Sequence, residues 1–188
     1  MKAFVREAAG RKPTVPTWSG EMLPRSFDLS MNIATFRREL MERLDQRDDD
    51  IIAWLCSFGI DRGSARSILS YFREQKAACD FIPNDLELAI EGYIDMSGNH
   101  NVIFHFPFGR RVNDALSRAY AFMMTQQLGS NVSVSVTDDT FMVSSPKRIE
   151  IKGLERILGS AQLEDVLMRA VKDSELFKQR FRHTASRS

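Results

Sequence analysis

Leu86-Glu87-Leu88-Ala89-Ile90-Glu91-Gly92-Tyr93-Ile94-Asp95, the turn residues Ser97-Gly98-Asn99-His100-Asn101, and Val102-Ile103-Phe104-His105-Phe106 mark where the chain changes character. Two β-rich runs around a Gly-Asn turn predict an antiparallel hairpin. After Pro107-Phe108-Gly109 the pattern changes to helical, from about Arg110 to Leu128, and Gly129 stops it. Val132, Val134 and Val136 then alternate with polar residues, Asp138-Asp139 turns the chain, and Phe141-Met142-Val143 returns. That is a second hairpin with one polar face. From about Ile149 the apolar spacing (Leu154, Ile157, Leu158, Leu163, Val166, Leu167, Ala170, Leu176, Phe177, Phe181) predicts helix to the end.

Upstream, the texture is different. Ser26 is a candidate N-cap, and Leu29, Ile33, Phe36, Leu40 and Leu44 follow at helical spacing, with Arg37, Arg38 and Glu42 on other faces. Asp48-Asp49-Asp50 open a second helix, because carboxylates suit the positive end of the helix dipole; a metal site is the weaker reading. Ile51, Ile52, Trp54, Leu55 and Phe58 form its apolar face. Gly59 ends it, and Asp61 caps a third helix through Ile68, Leu69 and Phe72 to about Cys79. Lys2–Ala8 predicts a short strand, and Gly10 to Pro24, with three prolines and two glycines, an extended loop carrying Trp18. The expected fold is therefore α+β: an extended basic segment (1–25), a helical lobe (26–80), and a small, mostly antiparallel sheet with packed helices (81–188).

The 188 residues suffice for one domain or two small lobes. A hydrophobic share of 43% and a charged share of 27% are those of a globular protein, and no apolar run approaches the roughly 18–20 residues of a membrane span. No signal-peptide core follows the N-terminus. Cys56 and Cys79 lack partner spacing, which predicts reduced thiols in a cytoplasmic protein. The net charge is only +1, but the first 25 residues lean basic (Lys2, Arg6, Arg11, Lys12 and Arg25 against Glu7 and Glu21), as do the last (Lys178, Arg180, Arg182, Arg187).

No G-x-x-x-x-G-K-[ST] phosphate loop, G-x-G-x-x-G turn or G-x-S-x-G elbow occurs. His100, His105 and His183 have no partner at metal-ligand spacing, and His105, between Phe104 and Phe106, is expected to be packed and hydrogen-bonded. No catalysis, metal or cofactor is expected of this segment.

Phe106-Pro107-Phe108-Gly109-Arg110-Arg111-Val112-Asn113 resembles the H-x-P-F-G-R-R-V-N stretch of the large helicase-related (Lhr) family of superfamily-2 DNA helicases, in its DEAD/H-associated domain. Trp18-Ser19-Gly20-Glu21 with Pro24-Arg25-Ser26 resembles the family's W-x-G-E…P-x-S opening, the region from Trp54 to Gln75 its helical lobe, and Ser174 to His183 its S-x-x-F-x-x-R-F-R ending. The ordered set covers nearly the whole chain. The resemblance implies a parent that uses ATP and Mg in two RecA-like domains to move along single-stranded DNA, in the setting of DNA repair. This segment would help enclose that strand beside the RecA-like and winged-helix domains, and Ser188 would be a truncation point.

Within that expectation, Trp18 on its proline-rich loop is the first candidate to stack on a base; its alternative role is to pin the loop to the helical lobe. Arg11, Lys12 and Arg25 flank it, the basic–aromatic mixture of a single-strand groove. Arg110 and Arg111, after a glycine at a helix start, suit phosphate through backbone N–H groups and guanidinium forks; alternatively one ties the helix to an acid such as Glu175 or to the motor. Asn113 is a candidate cap or backbone contact. Arg180, Arg182 and Arg187 form a basic face for DNA or for docking. A packing module that never touches nucleic acid is the competing reading.

Overall fold

A computed structural model describes residues 23–79 and 81–172, with positions 177, 181, 182, 184 and 185. The predicted strand at Lys2–Ala8 and the Trp18 loop lie outside the described residues.

Three helices come first: α1 (Phe27–Arg43), α2 (Asp48–Cys56) and α3 (Arg62–Ala78). Their caps are those the sequence marks. Ser26 Oγ accepts from the Leu29 N–H at 3.2 Å, and Asp61 Oδ1 accepts from Gly63 and Ser64 at 2.8 and 3.1 Å. The Asp61 carboxyl is held below its usual range chiefly by its hydrogen bond with the Ser64 hydroxyl. The acids opening α2 are paired: Asp48 with Arg73, Asp49 with Arg62, Asp50 with Arg47. No acid–histidine–cysteine group among the described residues could hold a metal. Leu40, Ile51, Leu55, Leu69 and Phe72 make this lobe's core. Trp54 belongs to its edge, stacked on Phe36 at 5.6 Å with the Arg43 guanidinium 4.4 Å from its ring. Leu29 and Phe58, expected on the inward faces, are half exposed; Ser30 and Ala34 occupy the inward positions of α1 instead.

The second lobe is a four-stranded sheet, β1 (Ala89–Ile94), β2 (His100–His105), β3 (Ser133–Val136) and β4 (Phe141–Ser145), with every pairing antiparallel. Its order is β1-β2-β4-β3. Helix α4 (Arg110–Leu128) connects β2 to β3, and β4 lies between those two strands, a split β-α-β unit. Gly129, left-handed at φ 57°, ends α4 where expected. Val102, Phe104, Phe141 and Val143 on one sheet face pack on Tyr120 and Met124 of α4. Phe104 and Phe141 stack at 4.4 Å.

Three boundaries differ from the sequence reading. β1 begins at Ala89, not Leu86, because Asn84 Oδ1 accepts from the N–H groups of both Leu86 and Glu87 at 2.9 Å and bends the chain there. β2 begins two residues early, because Asp95 Oδ1 accepts from Ser97 and Asn99 and closes the turn before His100. The region after Ile149 is not continuous helix. Two 3₁₀ turns (Leu154–Arg156, Ser160–Gln162), each preceded by a glycine, lead into α5 (Leu163–Lys172). Both cysteines are free. Among the described residues, no helix is long and apolar enough to cross a membrane.

Candidate nucleic-acid interface

The start of α4 is built from four parts of the chain. Gly109 turns from β2 into the helix at φ 84°, ψ 153°, a conformation essentially restricted to glycine. Its N–H donates to the Asp138 carbonyl at 2.9 Å. The N–H groups of Arg110 and Arg25 both donate to Asp138 Oδ1, at 3.1 and 3.0 Å. Asp138 thus caps α4 from the β3–β4 turn and fixes the chain just ahead of α1.

Asn113 completes the knot from inside. It has no exposed surface, and its Nδ2 group donates to the carbonyls of Phe106 (2.8 Å), Thr137 (3.3 Å) and Asp138 (3.2 Å). Two hydrogens serve three acceptors, so one contact is shared. Next door, Asp139 is clamped by Arg25 Nη2 at 2.5 Å and Arg37 Nη2 at 3.1 Å. Burial pushes the Asp139 carboxyl upward, but Arg25 and Arg37 outweigh it and hold the group below the ordinary carboxylate range. The Asp138–Asp139 turn therefore ties the helical lobe to the sheet.

The expected site residues separate accordingly. Arg110 and Arg111 are exposed, and their guanidinium groups have no partner among the described residues. The N–H of Arg110, expected to be open to a phosphate, is taken by the Asp138 carboxylate. Asn113 is the interior cap and has no surface to offer DNA. Arg25 places its charge on Asp139, inside the joint. Arg182 is exposed in a helical position, while Trp18, Arg11, Lys12, Arg180, Arg187 and Glu175 lie outside the described residues. His105 is bonded as expected, Nε2 to Glu91 Oε2 at 3.1 Å.

Sequence reading passed over Asp138, Asp139 and Arg37, which it took for turn and surface residues. Nothing local marks them, since none of their partners is near in sequence: Asp138 meets Arg110, Asn113 and Arg25, and Asp139 meets Arg25 and Arg37. It also passed over Arg148 and Lys152, exposed cations without partners among the described residues, beside a hollow of ≈ 390 Å³ near the end of α4.

Residues 82–188 match the model of the family described as DEAD/H associated. The chain is 38% identical to the ATP-dependent helicase Lhr-Core of Saccharolobus solfataricus, over all of this chain and 22% of that protein. It is equally similar, 38% over all of this chain and 22% of the relative, to the Lhr-Core helicase of Methanothermobacter thermautotrophicus. The chain thus spans about a fifth of the curated relatives it matches. Among solved structures, the Mycobacterium smegmatis helicase Lhr bound to ssDNA and AMP-PNP matches with a TM-score of 0.73 at 25% identity, over 96% of this chain and 23% of that one. With a family model covering more than half its length, and the helix-start knot falling inside the matched region, the chain belongs to the DEAD/H associated family and is a domain of the Lhr helicase type.

Proposed function

We propose that this domain contacts single-stranded DNA for an Lhr-type helicase whose ATPase motor, with its ATP and Mg, lies in other domains. The carrying observation is the pair of guanidinium groups without partners among the described residues, Arg110 and Arg111, on a helix start held by Asp138 and Asn113. Since the fold itself takes up the Arg110 N–H and the Asn113 Nδ2 group, the two guanidinium side chains are what this helix start offers to phosphate oxygens. The similar helicase Lhr, solved with ssDNA, supports that partner. In this reading Trp18 stacks on a base, with Arg11, Lys12, Arg180 and Arg182 as further phosphate contacts, and the RecA-like and winged-helix domains form the opposite walls.

A second reading has its own observation. Leu23, Phe27 and Leu29 are at least half exposed, and Phe27 lies against Phe108, two residues before Arg110. An apolar patch beside two arginines also suits a neighbouring protein domain.

Titrating a labelled oligothymidylate at several salt concentrations separates the two. A phosphate role predicts that Arg110→Ala/Arg111→Ala flattens the slope of log K against log[salt] by about 1.4, at about 0.7 per phosphate contact. Trp18→Ala should weaken binding at least about fivefold. Unchanged slope and affinity in both variants would leave the packing module.

A further inference from the structure

A cleft of ≈ 380 Å³ opens between the helical lobe and the sheet. Phe36 of α1 and Tyr71, Phe72 and Gln75 of α3 line one side, and His105 and Thr140 line the other. Its aromatic wall is ordered by edge contacts: Phe72 meets Tyr71 at 5.6 Å and Phe36 at 6.3 Å, both nearly perpendicular. Tyr71 itself is left 62% exposed, so its ring is accessible to a partner. The volume is within the range of clefts that hold small planar ligands.

The distribution of polar groups selects the occupant. Gln75 is half-buried, and its side-chain amide has no partner among the described residues, so it presents a donor and an acceptor to the cleft. An aliphatic side chain seated there would leave that amide buried and unpaired; the edge of a nucleobase would satisfy it. Among the described residues the cation on the cleft wall is Arg37, and it is paired with Asp139. Arg110 and Arg111, without side-chain partners among the described residues, stand on the other side of the Asp138–Asp139 turn, where Asp138 holds the Arg110 N–H while Asp139 lines the cleft. A neutral aromatic chamber beside an exposed cationic pair matches the charge pattern of a nucleotide, with a neutral planar base and an anionic phosphate.

We propose that this interlobe cleft takes an unstacked nucleobase of single-stranded DNA, stacked on Tyr71 and hydrogen-bonded at its edge by Gln75, with Arg110 and Arg111 on the adjoining phosphates. The site rests on the single-strand reading above and deepens it. Gln75 can turn its amide either way, so the site accepts any base, as a translocating domain requires.

The test uses the 188-residue chain and an oligothymidylate carrying one 5-iodouracil. Tyr71→Ala should weaken binding at least about fivefold, the lower end of base–aromatic stacking, while Tyr71→Phe stays within about twofold of wild type. Irradiation should cross-link the iodouracil to Tyr71, as mapped by mass spectrometry. An oligonucleotide with abasic sites in place of bases should bind wild type and Tyr71→Ala equally. If Tyr71→Ala loses its helical circular dichroism, Gln75→Ala, on the same wall, replaces it and should also weaken binding. Wild-type binding that neither variant alters, with cross-links elsewhere, overturns the cleft and leaves the phosphate grip standing; the cleft would then face protein. Absence of any oligonucleotide binding by the wild type at low salt overturns both.

Discussion

Replacing Gly109 by alanine should be among the most damaging single changes in this domain. At φ 84° and ψ 153° an alanine backbone sits in a region essentially reserved for glycine, which costs about 1–3 kcal/mol. The added Cβ would also lie 3.0 Å from the Arg25 carbonyl oxygen and 3.0 Å from Ser30 Oγ. Neither neighbour can retreat easily. The Arg25 backbone is held by Asp138, and Ser30 is buried in the first turn of α1. Overpacking of this kind adds about 1–3 kcal/mol, so the total is about 2–6 kcal/mol. With a urea m-value of about 2 kcal/mol/M, the unfolding midpoint should fall by roughly 1–3 M. Gly98→Ala is the control: its φ is positive too, at 82°, but a Cβ there meets nothing within 4 Å, so only the backbone term applies. If Gly109→Ala shifts the midpoint no more than Gly98→Ala, the close approach of α1 to the α4 start is not what the glycine serves.

Two further outcomes follow from the same joint. Asn113→Ala takes the donor from the Thr137 carbonyl and the second donor from those of Phe106 and Asp138, and should cost about 1–3 kcal/mol, a Tm lower by roughly 2–12 °C in a thermal melt; an unchanged Tm would remove the amide from the account. Asp139 has its folded pKa depressed from 3.8, so its contribution is present above that value and fades as pH falls through the lower folded value. Urea midpoints should therefore favour wild type over Asp139→Asn near neutrality, with the gap closing below about pH 4; a gap independent of pH would mean that the Arg25 and Arg37 pairs do not carry it.

Local signals made much of this fold legible. Ser26, Asp61 and Gly129 mark helix ends because the groups they satisfy are only a few residues away. The two hairpins were legible from their β-rich runs and turn residues, whereas Val134, on the apolar side of the second hairpin's alternation, is 41% exposed because β3 is the sheet's edge strand. The early turn at Asn84 was missed because an Asx turn overrode the β propensity of Leu86 and Leu88. At the site, the sequence pointed to Arg110, Arg111 and Asn113 together, since all three share a helix start. It could not divide them, because the group that assigns their roles, Asp138, arrives from a turn folded back beside them. Tyr71 and Gln75 were passed over for a similar reason: the wall opposite them is supplied by β2 and the second hairpin.

The Asp138–Asp139 turn has a mechanical consequence. A strand drawn past Arg110 and Arg111 would pull on the first turn of α4, and that turn is anchored sideways, through Asp138, to the backbone of Arg25. Tension applied at the arginines would leave through two directions at once, along α4 into the sheet and across the hairpin into α1. The domain is braced as a truss is, with the load shared between two members that meet at a single node.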